Sequence, residues 1–180
     1  MIKLHLGCGW RNFGSEWTHV DGGDYDHLDA HDITKLDFED DSVDLIYASH
    51  VLEYFDREEV KSVLHEWIRV LKPGGTLRVA VPNFRSMVVL YLNKRYDLET
   101  FLGPLYGKMQ MGNDTIYHKT VYDLKSMTTL LTELGLIEVK PYKWQETEHA
   151  HHDDHSQAYI PHMDKGRGRL ISLNVEGTKA

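Results

Sequence analysis

Short apolar runs alternate along this chain with glycine breaks and helical stretches, and that alternation restricts it to the α/β architectures. Ile2 to Leu6 reads as a short buried strand that runs directly into Gly7-Cys8-Gly9. Thr18 to Asp21 reads as a second strand, ended by Gly22-Gly23, and Val43 to Ser49 as another. A helix follows that Asp56 can cap, with Glu59 as the return partner of a capping box. Val60, Val63, Leu64, Trp67, Ile68 and Leu71 form its apolar face, and Lys72-Pro73-Gly74-Gly75 stops it. Thr76 to Val81 is then a strand, and Phe84, Met87, Val88, Tyr91 and Leu92 support a helix. Asp123 caps a further helix that Gly135 ends. Leu136 to Tyr142 and Leu170 to Val175 complete the strands. The pattern predicts a doubly wound, mostly parallel sheet covered on both faces. Its ligands are expected at the edge where the strand C-termini lie.

A length of 180 residues suits one domain, 1–180, with one core. Two irregular segments, 97–118 and 144–168, are expected as insertions on the substrate side. No stretch approaches the roughly 20 apolar residues that span a bilayer, and the first residues do not form a secretory signal. No membrane association is therefore expected. The single cysteine, Cys8, excludes an intramolecular disulfide framework and points to the cytoplasm. A net charge of −8 repels a phosphate backbone, so no nucleic-acid partner is expected.

Gly7-Cys8-Gly9 sits where a ligand can approach a strand end closely. A dinucleotide fingerprint requires a further glycine where Asn12 stands, which argues against a nicotinamide or flavin cofactor. Asp21 can accept both ribose hydroxyls of an adenosyl group. Asp32 beside Ile33 can accept an adenine amino proton while the apolar side chain packs the ring.

These features fall in one order: Leu4-His-Leu-Gly-Cys-Gly9, Trp17-Thr-His-Val-Asp21 and Asp32-Ile-Thr-Lys-Leu-Asp-Phe38. Ser42 to Tyr54 and then Arg69-Val-Leu-Lys-Pro-Gly-Gly-Thr-Leu-Arg78 follow. The series resembles the class I S-adenosylmethionine-dependent methyltransferases, particularly the methyltransferase type 11 group. The resemblance is dense from about Ile2 to Pro82 and looser from His118 to Tyr142. It implies a seven-stranded Rossmann-like sheet with helices on both faces. It also implies S-adenosyl-L-methionine as cofactor, S-adenosyl-L-homocysteine as product, and methyl transfer to a small-molecule oxygen or nitrogen acceptor. His5, Leu6, Gly7, Cys8 and Gly9 would border the methionine moiety. Asp21 and Gly22 would hold the ribose, and Asp32 and Ile33 the adenine. Ser49 and His50 would border the amino group and the transferred methyl. The chain departs from the family pattern at His5, where an acid or amide is usual, and at Arg11, where a third glycine is usual.

An oxygen or nitrogen acceptor needs its proton removed, and histidine is the natural base near neutral pH. His50 and His118 are the catalytic candidates. Glu53, Tyr54, Tyr106, Tyr117 and His118 are the candidates for substrate contact. Cover for the site would come from 97–118, from 144–168, or from a second copy of the chain in a homodimer. Two other readings are a binding module that no longer transfers methyl groups, and a metal-dependent enzyme using His149, His151, His152, Asp153, Asp154 and His155. The second has suitable ligand types but no secondary structure to fix them, so no metal site is expected.

Overall fold

In a computed structural model that describes residues 1–93, 95–112 and 114–180, the chain begins with β1 (Lys3–Leu6), β2 (Thr18–Val20) and β3 (Val43–Ser49). It continues through α1 (Glu59–Val70), β4 (Leu71–Pro82), α2 (Phe84–Leu92), α3 (Glu99–Tyr106) and the hairpin of β5 (Met109–Met111) with β6 (Asp114–Ile116). Then come α4 (Leu124–Glu133), β7 (Leu136–Pro141), the pair β8 (Tyr159–Ile160) and β9 (Arg169–Leu170), and β10 (Ser172–Lys179). Within the expected insertion 97–118, residue 113 lies outside the described residues.

The main sheet has the order β2-β1-β3-β4-β10-β7. β1 is parallel to both neighbours, with His5 opposite His19 on one side and Tyr47 on the other. β3 and β4 are parallel, and β10 runs antiparallel to β4 and β7. The sheet is thus doubly wound and mostly parallel, but it has six strands where seven are expected. Beyond β2 only a parallel bridge between Val20 and Ala30 remains. The stretch that follows β2 is dominated by aspartate and offers no alternating β-formers to extend that bridge.

One face of the sheet presents Leu4, Leu6, Ile46, Ala48, Leu77 and Val79 to α1 and α4, and together they form the main core. Both helices start on capping boxes. Asp56 accepts from the N–H groups of Glu58 and Glu59 while Glu59 reaches back to the Asp56 N–H, and Asp123 and Ser126 repeat the exchange. Val60, Val63, Leu64, Trp67 and Ile68 are buried on one side of α1, as the 3.6-residue spacing requires.

α1 also anchors the acidic segment that replaces the missing strand. Trp67 Nε1 donates to the Ile33 carbonyl at 2.7 Å, and Glu66 accepts from the Leu36 N–H at 2.8 Å. Arg69 pairs with Glu66 and Asp40 and donates to the carbonyls of Leu36 and Phe38. Asp32 and Ile33 are therefore positioned from the helix, without a strand of their own.

The opposite face carries His5, Tyr47 and Arg78, covered by the loop between β1 and β2 and by the excursion after β7. Phe13 stacks on the His5 ring at 3.9 Å, and His149 packs against Tyr47 at 4.1 Å. Tyr47 donates to Asp154, and Asn174 Nδ2 donates to the Ser156 carbonyl at 2.9 Å. A smaller cluster of Met87, Leu90, Phe101, Ile160 and Ile171 joins α2 and α3 to the β8–β9 pair.

Candidate functional site

The C-terminal ends of three adjacent parallel strands bring the sequence-selected residues to one edge. β1 ends in Gly7, whose φ of +65° is left-handed. A Cβ there would meet Val51 Cγ2 at 2.2 Å, so both backbone and packing demand glycine. Gly9 is also left-handed at +57°, but a Cβ on it would meet nothing within 4 Å. Its open side is space that a ligand can use.

Asp21 follows β2 directly. Its carboxylate accepts from Gly9 N–H at 2.8 Å and from Gly23 N–H at 2.7 Å. The acid therefore braces both turns and keeps lone pairs on each oxygen for further donors. Asp32 is exposed. Its Oδ1 accepts from the N–H and hydroxyl of Thr34, which holds its carboxyl below the ordinary range. Ile33 leans partly buried against the main core. The β5–β6 hairpin reaches this edge too: Met111 Sδ lies 3.0 Å from where a Cβ on Gly22 would stand.

Two of the expected cofactor contacts are placed elsewhere. His5 points to the opposite face, 1% exposed beneath Phe13, because side chains alternate along β1 and the glycine turn does not begin until Gly7. Leu6 faces the main core and is fully buried. Cys8 is buried, and burial together with the Asp21 charge pushes its thiol up to about 12, which disfavours the thiolate.

β3 ends in Ser49 and His50. The Ser49 hydroxyl is buried without a hydrogen-bonding partner among the described residues. His50 is left-handed at φ +57° and donates its backbone N–H to Ala80 at 2.8 Å, which fixes the chain direction at the strand exit. A single 3-10 turn, Leu52–Tyr54, then folds Glu53 inward to 0% exposure. Glu53 Oε1 lies 3.3 Å from His50 Nδ1 and 3.9 Å from His118 Nε2. Burial pushes the Glu53 carboxyl up to about 8 and drives His50 well below the ordinary imidazole range. His118 is lowered by the same cause. The Tyr54 ring meets His118 edge-on at 4.7 Å, whereas Tyr106 and Tyr117 are 62% and 50% exposed.

The sequence matches the family described as "Methyltransferase domain" over residues 23–79, a span that starts just past Asp21. No curated protein matches it significantly. Among solved structures, a SAM-dependent methyltransferase of Methanosarcina mazei superposes with a TM-score of 0.59 at 19% identity, covering 99% of this chain and 92% of that one. A SAM-dependent methyltransferase of Archaeoglobus fulgidus gives 0.59 at 15% identity, with 99% and 86% covered. The 1,6-didemethyltoxoflavin-N1-methyltransferase of Burkholderia thailandensis, bound to its namesake ligand and S-adenosylhomocysteine, gives 0.57 at 11% identity, with 99% and 71% covered.

This chain has the fold of the S-adenosylmethionine-dependent methyltransferases.

Within that fold, sequence reasoning missed the polar side of β10. Ser172 and Asn174 alternate with the core residues Leu173 and Val175; Ser172 reaches His50 from the far side of β4, and Asn174 holds Ser172. The period-2 polar pattern after Ile171 was the available signal. The 149–155 segment of this methyltransferase fold does not converge. His149 is buried against Tyr47, Asp153 pairs with Lys165, and His155 packs 5.2 Å from His50. Among the described residues, no group of three or more His, Cys, Asp or Glu is placed to hold a metal ion. No described helix is long and apolar enough to cross a membrane.

Proposed function

We propose that this protein binds S-adenosylmethionine along the β2-β1-β3 edge and transfers its methyl group to a small-molecule oxygen or nitrogen acceptor in the cytoplasm. The observation that carries the reading is the hydrogen bond from Gly9 N–H to the Asp21 carboxylate, which locks a left-handed glycine turn to an acid across two parallel strands. The residues fit the cofactor. Gly9 leaves open space, the buried Ser49 hydroxyl has no hydrogen-bonding partner among the described residues, and Asp21 retains acceptor capacity.

When bound, the cofactor supplies an electrophilic methyl on a sulfonium. The chain supplies the rest. Gly7 to Gly9 and Ser49 would hold the methionine end, and Asp21 the ribose. Asp32 and Ile33 would hold the adenine, with Met111 closing over Gly22. Fixing donor and acceptor about 3–3.5 Å apart lowers the barrier by several kcal/mol through lost freedom alone. His50 and His118 stand beside the methyl position as the groups that can take the acceptor's proton. Tyr54, Tyr106 and Tyr117 would line the acceptor's approach.

Thermal unfolding with S-adenosylmethionine, S-adenosylhomocysteine and NAD added separately tests the reading. A ligand at about 100 times its Kd adds roughly 2.7 kcal/mol. That raises the midpoint by about 5–10 °C for a chain of this size. Shifts with the two adenosyl compounds and none with NAD are expected. No shift with either adenosyl compound at millimolar concentration would overturn the proposal.

A further inference from the structure

The hydrogen bonds around His50 fix its tautomer. The Ser156 carbonyl can only accept, so the amide group it meets must be Asn174 Nδ2, at 2.9 Å. Asn174 Oδ1 therefore faces Ser172 and accepts that hydroxyl's one proton at 2.8 Å. Ser172 Oγ is left as an acceptor toward His50 Nε2 at 3.2 Å, so the His50 proton sits on Nε2. In the neutral ring, which burial favours, His50 Nδ1 carries the lone pair.

The same reasoning applies to His118. Its Nδ1 meets the Pro104 carbonyl at 3.0 Å and must donate, which leaves the lone pair of the neutral ring, favoured by burial, on Nε2. Gly107 lets the ring seat there, since a Cβ on residue 107 would lie 2.2 Å from Nε2.

Both lone-pair nitrogens face one buried carboxyl, Glu53, whose two oxygens have no hydrogen-bonding partner among the described residues. An ionised carboxylate in that position would confront two lone pairs with no donor among the described residues. A protonated carboxyl can turn its one hydrogen to the nearer of them, His50 Nδ1 at 3.3 Å, and leaves His118 Nε2, at 3.9 Å, its lone pair. The other groups facing it are Tyr54 and Tyr122, neither of them cationic. His155 packs on His50, and Arg11 stands farther out.

We propose that Glu53 is a positioning residue that carries a proton in the resting protein, holds His50 as the Nε2–H tautomer, and leaves His118 Nε2 as the neutral base for an acceptor bearing its own O–H or N–H. This rests on the methyl-transfer reading. In the transfer, the acceptor's oxygen or nitrogen bonds to the methyl carbon as the carbon–sulfur bond breaks with its pair on sulfur. The acceptor's proton passes to His118 Nε2. The positive charge that leaves the sulfur thus reappears on the His118 ring, and the net charge of the pocket is unchanged. An acceptor already anionic, such as a carboxylate, would not need this base.

Imidazole nitrogen NMR of the full chain, as wild type and as Glu53→Gln, tests the assignment. At about pH 7 the wild type is expected to show neutral His50 with Nε2–H and neutral His118 with Nδ1–H. Raising the pH through about 8 should move both sets of resonances in the wild type and neither in Glu53→Gln. An imidazolium at either ring near pH 7, or a proton on His50 Nδ1, would overturn the proposal.

Thermal unfolding gives a second arm. A protonated Glu53 predicts that Glu53→Gln melts at or above the wild type near pH 7, and a midpoint lower by more than about 5 °C would argue for an ionised, paired carboxylate. S-adenosylhomocysteine separates the two levels. If it fails to raise the wild-type midpoint, the methyl-transfer reading and the acceptor class fall, while the NMR result alone decides where the proton sits.

Discussion

Gly9 donates its backbone N–H to the Asp21 carboxylate at 2.8 Å, so the turn after the first strand and the acid after the second form one unit. Replacing Asp21 with Ala leaves the N–H groups of Gly9 and Gly23 without their acceptor. A loss of about 1–3 kcal/mol is expected, measured by denaturant unfolding. The S-adenosylhomocysteine-induced rise in melting temperature should disappear as well. An Asp21→Ala variant that keeps the full ligand shift would remove the ribose role.

The two glycines of that turn should respond differently to alanine. Gly7→Ala places a methyl 2.2 Å from Val51 and is expected to destabilise by several kcal/mol or prevent folding. Gly9→Ala meets only open space and should cost about 1 kcal/mol for its left-handed backbone. Gly9→Ala should nonetheless weaken S-adenosylhomocysteine binding at least tenfold by calorimetry, because the methyl occupies the ligand's approach.

Trp67 links the core to the adenine side. It is fully buried, and its indole N–H holds the Ile33 carbonyl. Trp67→Phe keeps most of the apolar volume but removes that donor. About 1–3 kcal/mol of stability should be lost, and hydrogen exchange should rise across residues 30–36. Unchanged exchange there would mean that Glu66 and Arg69 hold the segment unaided.

His149 makes stability fall in acid. Burial lowers it from 6.5 to about 4, so between those values the unfolded chain binds more protons than the folded one. Stability is complete above about pH 6.5 and declines as the pH falls toward about 4, by on the order of 3 kcal/mol from this group. His149→Phe, which cannot titrate, should flatten that part of the pH–stability curve measured by urea unfolding. An unaltered slope would assign the acid sensitivity to the other histidines that burial lowers, among them His5, His19 and His50.

The dispersal of residues 149–155 predicts that metal does not support the fold. Equilibrium dialysis at micromolar zinc should give less than about half an equivalent bound, and a chelator should leave the melting temperature unchanged. Stoichiometric zinc with a midpoint that falls on chelation would reinstate the metal-dependent reading.

The residues that follow strands were legible because strand, glycine turn and acid are local features. The ends of β1, β2 and β3 are set by Gly7, Asp21 and Ser49, and parallel pairing then brings them together without further instruction. Helix starts at Asp56 and Asp123 were legible for the same reason, since a cap needs only three following residues. The missing seventh strand was not, because the family pattern implied it while the local acidic composition opposed it. The direction of His5 and the burial of Glu53 depend on which face a side chain takes and what covers that face. The covering groups include Phe13 of the β1–β2 loop, His149 of the excursion after β7 and His118 of the loop before α4, and strand propensity specifies none of these contacts.

By itself, then, the sequence determined the alternation of strands and helices and the order of the edge residues, because backbone propensity and hydrophobic period act over a few positions. Only the tertiary structure decided that Glu53 lies between His50 and His118, with Ser172 and Asn174 behind. A proton's location depends on every donor, acceptor and water molecule within a few ångströms, and those neighbours come from β3, β10 and the loop before α4, far apart in sequence.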